Sequence, residues 1–233
     1  MEKRCRVLYL GPELPTALSG FSCIKWIKSV EILPLPEALR AAAEYVVRGD
    51  YDCVAFLSPR SPRFLRQFMS SWPPNVRAFA VGASTAASVR EAFGIDAPYP
   101  ETYSSGGLAE LIKLSHCRRV LSLRSEAGDH ELEEKLREAG IEVNRVDVYR
   151  EVPADIDINE LASRFDLIIV SSAEIARISC NHVRPYLGDA IVIAMGPKAA
   201  SAVSSMCPEA RLLVPSRYTF NAIGELLKAL GCR

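Results

Sequence analysis

The sequence predicts an α/β protein built from two similar, doubly wound parallel-sheet domains with a cleft between them. Short, continuously apolar strands alternate with helical segments along the chain, which is typical of parallel sheets covered by helices on both faces. A second observation is an internal repeat. Residues 81–87 (VGASTAA) return as residues 195–201 (MGPKAAS), and Ser58 returns as Ser172, in both cases 114 positions later. This spacing is the size of a domain, whereas a solenoid repeat has roughly 20–50 residues.

The composition excludes several classes of protein. With 49% hydrophobic residues the chain has ample material for packed cores, so we exclude disordered and fibrous proteins. The 28 basic residues balance the 28 acidic ones, which argues against a nucleic-acid-binding surface based on overall charge. No apolar run approaches the ~20 residues of a membrane span, and the N-terminus lacks the apolar core of a secretory signal. We therefore expect a soluble cytoplasmic protein that binds no membrane and is monomeric.

The elements of the first half follow from apolar runs and capping signals. The expected strands are residues 7–10, 52–57, 76–81, 119–123 and 143–149, with an extended, proline-punctuated segment at 31–36. The expected helices run from Pro36 to Gly49, from Ser61-Pro62 through Met69, from a cap at Ser84 or Thr85 to Gly94, from about Ser105, and from a cap at Asp129 to Gly140. Residues 12–28 give no clear pattern.

The second half repeats this scheme. The expected strands are residues 167–170, 190–194 and 211–214, and the expected helices lie near Asn159, after Ser172, after Pro197 and from Thr219.

Two extended segments, residues 31–36 and 146–153, mark places where the chain passes between domains. If the chain leaves one domain at the first segment and returns at the second, residues 34–151 form an inserted domain. Residues 1–33 and 152–233 then form the other. A simple tandem, divided near residue 116, is the alternative, and the periodicity does not distinguish between the two.

The seven cysteines are scattered, odd in number and without a C-x-x-C pair, so we expect small buried thiols. A disulfide of the kind found in thermophiles stays open as an alternative. The three histidines share no ligand spacing, and we expect no metal site.

Several strand-to-helix junctions offer backbone amides, hydroxyls and a few cations. In open parallel sheets, ligands bind at the carboxyl ends of strands, where helix N-termini present unpaired N–H groups. This chemistry suits an anionic ligand such as a carboxylate or phosphate, although any single Ser or Thr here could serve only as a cap. Phosphate-loop, dinucleotide and hydrolase-elbow motifs are absent. The junctions are residues 58–61, 82–85, 103–107, 171–172 and 196–198.

Together with the Val148-Tyr149-Arg150 segment, these junctions resemble the uroporphyrinogen-III synthase family, in order, from about residue 52 to the C-terminus. Residues 1–30 match poorly. The resemblance implies two flavodoxin-like domains joined by a two-stranded connection, with the middle one inserted. It also implies the reaction: linear hydroxymethylbilane loses water and closes to uroporphyrinogen III with its last ring inverted. The family needs no cofactor and no metal.

The resemblance also implies the site residues. Tyr149 is the expected general acid or orienter of the leaving water, and its alternative role is packing near the domain connection. Arg124 either contacts a carboxylate of the substrate or forms a surface salt bridge. Arg60 and Lys198 add charge-assisted hydrogen bonds to the eight carboxylates of the substrate. The expected substrate-binding residues are Ser58, Arg60, Gly82, Ser84, Thr85, Ser104, Ser105, Ser171, Ser172, Gly196 and Lys198.

Two other functions remain as alternatives. A non-catalytic, two-lobed binding protein for an anionic small molecule has the same junctions but no special role for Tyr149. A regulator whose duplicated domains serve protein contacts has an exposed apolar patch instead.

Overall fold

The computed structural model of this protein describes residues 5–156, 164–188 and 190–232. Within these ranges the strands are β1 (Val7–Gly11), β2 (Ile24–Lys28), β3 (Val30–Pro34), β4 (Cys53–Phe56), β5 (Arg77–Ala80), β6 (Arg119–Ser125), β7 (Glu142–Pro153), β8 (Leu167–Val170), β9 (Ile191–Ala194) and β10 (Arg211–Leu213). The helices are α1 (Pro36–Arg48), α2 (Arg60–Leu65), α3 (Ala83–Phe93), α4 (Ser105–Leu114), α5 (Glu131–Glu138), α6 (Ala173–Val183), α7 (Pro197–Met206) and α8 (Phe220–Ala229). The helix predicted near Asn159 lies outside the described residues.

The chain divides into two compact units. Unit 1 consists of Met1–Ile32 and Val152–Arg233, and unit 2 of Leu33–Glu151. The sheet of unit 1 has the strand order β10-β9-β8-β1-β2, and that of unit 2 has the order β3-β7-β6-β4-β5. The pairings of β1, β2, β8, β9 and β10, and those among β4 to β7, are parallel. The predicted class, α/β with two parallel sheets, is confirmed.

The order of the first sheet, read from β2, is the 2-1-3-4-5 order of flavodoxin-like folds. In unit 2 the strands β5-β4-β6-β7 repeat the 2-1-3-4 part of that order, and β3 completes the edge. β3 and β7 each continue from one unit into the other, because the boundaries at Ile32 and Glu151 fall inside them.

The internal repeat of the sequence appears in the structure as an equal strand register. Val7 of β1 pairs with Leu167 of β8, and Val120 of β6 pairs with Cys53 of β4. Val120 is 113 positions after Val7, and Leu167 is 114 positions after Cys53. Because register fixes which side chains reach each face and each edge of a sheet, the junctions that follow these strands occupy equivalent places in their own units.

Both faces of the sheet of unit 1 are buried, which explains why its central strands β1, β8 and β9 are almost entirely apolar. Leu8 and Leu10 pack in one cluster with side chains of α6 and α7. Val7 and Tyr9, which alternate with them, pack on the other face with side chains of α8. Successive residues of a strand point to opposite faces, so a strand covered on both sides has no polar alternation.

β2 was missing from the sequence prediction. Its residues, IKWIK, include two lysines, and Ile27 is the one buried residue. Lysines and partial exposure are expected for a strand at the edge of a sheet. Five residues of pairing with β1 hold it in place. The 3-10 turn Thr16–Leu18 precedes β2, and its Leu18 side chain packs in the same core cluster as Val7 and Tyr9.

Three helix caps differ from the sequence prediction. α2 begins at Arg60 and ends at Leu65, and the predicted cap Ser61 is buried, where its hydroxyl donates a hydrogen bond of 3.4 Å to the Leu123 carbonyl. α3 begins at Ala83 with Gly82 as its N-cap, so Ser84 and Thr85 lie in the first turn and do not cap it. α5 begins at Glu131, and its N-cap is His130 and not the predicted Asp129. The Asp129 carboxylate still accepts a hydrogen bond of 3.2 Å from the Glu131 N–H.

Four of the seven cysteines form disulfides, so the expectation of thiols was wrong for them. Cys5 is bonded to Cys232 in unit 1, and Cys53 is bonded to Cys117 in unit 2. The Cα–Cα distances of 5.3 and 6.0 Å suit disulfide geometry. Both pairs are remote in sequence, which is why spacing did not reveal them.

Within the described ranges, no helix has the length and apolarity needed to span a bilayer.

Candidate functional site

The candidate site of each unit lies at the carboxyl edge of its parallel sheet. In unit 2 the chain order reverses between β4 and β6, and in unit 1 between β1 and β8. Ligands of open α/β sheets bind outside the carboxyl ends of strands at such a switch point. The junctions predicted from the sequence follow β4 and β5 in unit 2 and β8 and β9 in unit 1.

The turn after β4 is closed by Ser58. Its buried hydroxyl accepts a hydrogen bond of 3.1 Å from the N–H of Arg60, the first residue of α2. Ser88 of α3 donates a hydrogen bond of 2.7 Å to the Pro59 carbonyl and so ties the next helix to the same turn. The structure therefore brings the residues after β4 and the helix after β5 together.

The N-terminus of α3 has no side-chain cap. Its N-cap is Gly82, and the first hydrogen bond inside the helix runs from the Ala86 N–H to the Gly82 carbonyl. The N–H groups of the first turn therefore have no acceptor inside the helix, and Thr85 is buried in that turn. A ligand that accepts hydrogen bonds would be favoured here.

A second helix N-terminus lies beside the first. Ser104 caps α4, because its hydroxyl accepts a hydrogen bond of 3.0 Å from the Gly107 N–H. Ser105 is the first residue of α4 and is half-buried. The hydroxyl of Ser104 is therefore engaged by its own helix, whereas those of Ser84, which is exposed, and Ser105 reach the surface.

Tyr149 is buried on β7, and its ring contacts that of Phe64 from α2 with centroids 5.9 Å apart. Its carbonyl accepts a hydrogen bond of 3.0 Å from the Glu126 N–H. The β6–β7 register shifts between Arg124 and Ser125, so Ser125 lies opposite Tyr149. Tyr149 is thus at the carboxyl edge of unit 2, next to the loop that follows β6.

Arg145 holds that loop. Its guanidinium donates hydrogen bonds to the backbone carbonyls of residues 125, 126, 128 and 129 at 2.9–3.3 Å, and its Nε donates to the Asp147 carboxylate at 2.7 Å. A guanidinium with five donors suits this role better than an ammonium group. Residues 125–129 therefore have fixed positions beside Tyr149.

Arg124 forms a buried ion pair and not the surface salt bridge that the sequence offered as one of two alternatives. It is buried, and its Nη1 lies 2.9 Å from Oε2 of Glu133, which is 0% exposed. Ser122 donates a second hydrogen bond to Oε1 of Glu133 at 2.6 Å. Gly128 packs on the guanidinium, since a Cβ at this glycine would lie 2.5 Å from Nε. The Arg124 side chain therefore packs against the loop at Gly128 and is buried.

In unit 1 the equivalent junctions carry different side chains. Ser172 caps α6 by accepting a hydrogen bond of 3.1 Å from the Ile175 N–H, and Ser171 beside it is half-buried. Gly196 is the N-cap of α7, and Lys198 is exposed in its first turn. Ala199 is buried at the position where unit 2 has Thr85. The two units therefore offer unequal chemistry at equivalent places.

The sequence predicts a junction at residues 103–107, which contains Tyr103, but its counterpart Tyr218 is absent from the prediction. The ring of Tyr103 lies on Gly82, and the ring of Tyr218 lies on Gly196. A signal for Tyr218 is present in the sequence, because Tyr103-Ser104 returns as Tyr218-Thr219 after 115 positions.

Among the described residues, Asp52, Cys53 and Cys117 form a group that could hold a metal ion. The two sulfurs are bonded to each other, and a disulfide sulfur is not the thiolate that binds metals. The carboxylate of Asp52 is already engaged, since it accepts hydrogen bonds from the N–H groups of Arg118 and Arg119. In both units the candidate site therefore consists of amides, hydroxyls and tyrosines, which are groups that can donate hydrogen bonds to an anionic ligand.

Known proteins resemble this chain in sequence and in structure. The family model described as uroporphyrinogen-III synthase HemD matches residues 24–227. A uroporphyrinogen-III synthetase from Helicobacter pylori is similar in structure, with a TM-score of 0.70, 16% sequence identity, and coverage of 97% of this chain and 99% of the other. A mutant uroporphyrinogen III synthase from Thermus thermophilus has a TM-score of 0.59 and 17% identity, with coverage of 97% and 99%. At these identities the structural matches establish the fold.

Proposed function

The chain belongs to the uroporphyrinogen-III synthase family, whose model spans residues 24–227, and we propose that its strand-end junctions bind the carboxylates of hydroxymethylbilane. The activity is that of the family: the linear tetrapyrrole loses water and closes to uroporphyrinogen III with inversion of ring D. The residue roles given below are proposals that the geometry of each unit supports.

The helix N-termini are suited to a substrate with many carboxylates. Each presents N–H groups that lack an acceptor and carries the positive end of the helix dipole. Such groups bind a carboxylate without a counter-ion that must first be displaced. The N–H groups proposed to bind carboxylates belong to α3 and α4 in unit 2 and to α6 and α7 in unit 1. The proposed binding residues beside them are, in unit 2, Ser58, Gly82, Ser84, Thr85, Ser104 and Ser105. In unit 1 they are Ser171, Ser172, Gly196 and Lys198. The N-terminus of α3, whose N-cap is Gly82 and which has no side-chain cap, is the observation that carries this assignment.

The main task of the protein is to restrain the substrate. Once hydroxide leaves, the pyrrole nitrogen stabilises the cation, and ring closure without inversion proceeds spontaneously. The protein must therefore hold the chain so that the substituted carbon of ring D attacks first. Several fixed carboxylate sites achieve this restraint, because each removes rotational freedom from a flexible substrate.

Tyr149 is the proposed proton donor to the leaving hydroxyl. It lies at the carboxyl edge of unit 2, its ring is held against Phe64, and its backbone is bonded to the loop after β6. None of the described residues forms a hydrogen bond with its hydroxyl, which leaves that group available to a substrate. Arg60, the first residue of α2, is proposed to form a charge-assisted hydrogen bond with a carboxylate of the substrate.

We also propose that the protein acts as a cytoplasmic monomer, with units 1 and 2 as its two domains.

Product analysis tests the activity. Hydroxymethylbilane generated enzymatically is supplied to the purified protein, and the porphyrins obtained after oxidation are separated by isomer. We expect isomer III in excess of isomer I, because enzymatic closure outruns spontaneous closure. If isomer I forms at the spontaneous rate and isomer III is absent, the enzymatic function is lost and the non-catalytic binding protein becomes the better interpretation. The family match does not favour that alternative.

Tyr149→Phe tests the proposed proton donor. We expect kcat to fall about 10- to 100-fold while KM changes little, at the lower end of what general acids contribute, because the pyrrole nitrogen supplies much of the driving force. The measurement is the initial rate of isomer III formation over a range of substrate concentrations. Tyr45→Phe is the matched control, since Tyr45 lies on α1, outside the junctions, and contacts Tyr51. A variant with the full rate would leave Tyr149 with its packing role against Phe64.

A further inference from the structure

Each unit places a tyrosine ring on the glycine that caps a helix. A Cβ added to Gly82 would lie 3.2 Å from Cγ of Tyr103, and one added to Gly196 would lie 3.3 Å from Cγ of Tyr218. In both cases the three nearest atoms are Cγ, Cβ and Cδ1 of the ring, in the same order. The two tyrosines thus make the same contact in their own units, and the glycine leaves room for it.

Each tyrosine is connected with two helix N-termini. Tyr103 contacts the N-cap of α3 and directly precedes Ser104, the N-cap of α4. Tyr218 contacts the N-cap of α7 and directly precedes Thr219, which caps α8 through a hydrogen bond of 3.2 Å from the Ala222 N–H. In both units the tyrosine therefore touches one helix cap and is the chain neighbour of another.

Stability alone does not account for these side chains. Tyr103 is 50% exposed and Tyr218 is 57% exposed, so each leaves much of its apolar surface in water. Tyr103 also adopts a φ of 45°, in the left-handed region that is unfavourable for a residue with a side chain. The neighbouring positions differ between the repeats, as Thr85 and Ala199 do, whereas the tyrosine and its glycine occur in both.

The chemistry of the ring matches that of the substrate. Each pyrrole of hydroxymethylbilane is an electron-rich aromatic ring with two carboxylate arms. Aromatic rings pair in offset or edge-to-face contacts at centroid distances of about 4.5–7 Å, and helix N-termini accept carboxylates. We propose that Tyr103 and Tyr218 each contact one pyrrole ring of the substrate while the adjacent helix N-termini bind its carboxylates. This assignment rests on the proposed function and makes the two tyrosines determinants of substrate binding.

Alanine and phenylalanine variants test the proposal. We expect Tyr103→Ala and Tyr218→Ala each to raise KM for hydroxymethylbilane about five- to tenfold, with a larger rise in the double variant. Tyr103→Phe and Tyr218→Phe are expected to restore most of the affinity, because the ring and not the hydroxyl makes the contact. Initial rates of isomer III formation give KM and kcat, and a thermal melt of each variant gives Tm.

The matched controls are Leu114→Ala and Leu230→Ala. Leu114 and Leu230 are exposed apolar residues at the C-terminal ends of α4 and α8, which are the helices that begin after the two tyrosines. We expect these controls to leave KM unchanged. If the alanine variants of the tyrosines lower Tm but leave KM within twofold of an active wild type, the rings are structural and the proposal is overturned. A rise in KM for one tyrosine alone would overturn the paired assignment. If the wild type makes no isomer III, the proposed function fails first.

Discussion

Replacing Glu133 with leucine is expected to lower the free energy of unfolding by about 3–5 kcal/mol, because it leaves the buried guanidinium of Arg124 without its carboxylate. Both oxygens of Glu133 lie within 3.1 Å of Nη1 of Arg124, and both side chains are buried. A partner at 3.4 Å, the half-exposed carboxylate of Asp129, remains but is too distant to replace the lost interaction. We expect Tm to fall by roughly 10 °C in a thermal melt followed by circular dichroism.

A double-mutant cycle separates the pair from its surroundings. The double variant Arg124→Met/Glu133→Leu removes both charges and is expected to be more stable than Glu133→Leu alone. Glu91→Ala is the control, because its ion pair with Arg63 is exposed and 3.8 Å long, and its loss is expected to cost less than about 1 kcal/mol. Equal melting temperatures for Glu133→Leu and the wild type would show that Arg124 does not depend on this carboxylate.

Removing either disulfide is expected to lower the free energy of unfolding by about 2–4 kcal/mol, because each closes a long loop in the unfolded chain. The bond between Cys53 and Cys117 spans 64 positions, and that between Cys5 and Cys232 spans 227. Because the loop-closure entropy grows only with the logarithm of loop length, the two losses are expected to differ by only about 1 kcal/mol. Thermal melts of Cys53→Ala/Cys117→Ala and Cys5→Ala/Cys232→Ala measure the effect, with Cys23→Ala as the control.

A thiol count checks that the bonds exist. Protein purified without reductant is expected to show three thiols after denaturation and seven after reduction, because Cys23, Cys180 and Cys207 are outside the disulfides. In the native protein, Cys180 is expected to resist alkylation at pH 8, since burial and a hydrogen bond with Cys207 raise the pKa of its thiol to about 12. Seven thiols before reduction would contradict both disulfides.

The candidate site was predicted best where the chemistry lies in the backbone. Gly82 and Gly196 were identified because a helix that follows an apolar strand must begin with N–H groups that lack acceptors, and this holds for any side chains nearby. Caps were predicted less well. Ser104 and Ser172 cap their helices, whereas Ser84 and Thr85 do not, because glycine already occupies the N-cap of α3. Which of several adjacent hydroxyls caps a helix depends on where the strand ends.

The α/β class, most of the strands and helices, and the duplication could be predicted from the amino-acid sequence. These follow from apolar periodicity and from the constant shift of about 114 positions, both of which are local or linear properties of the chain. Three features are seen only in the folded protein: Arg124 is buried against Glu133, four cysteines are paired, and Tyr103 and Tyr218 lie on glycines. Each of these contacts joins residues that pattern alone does not bring together, because burial and distance are fixed by the packing of the sheets and their helices.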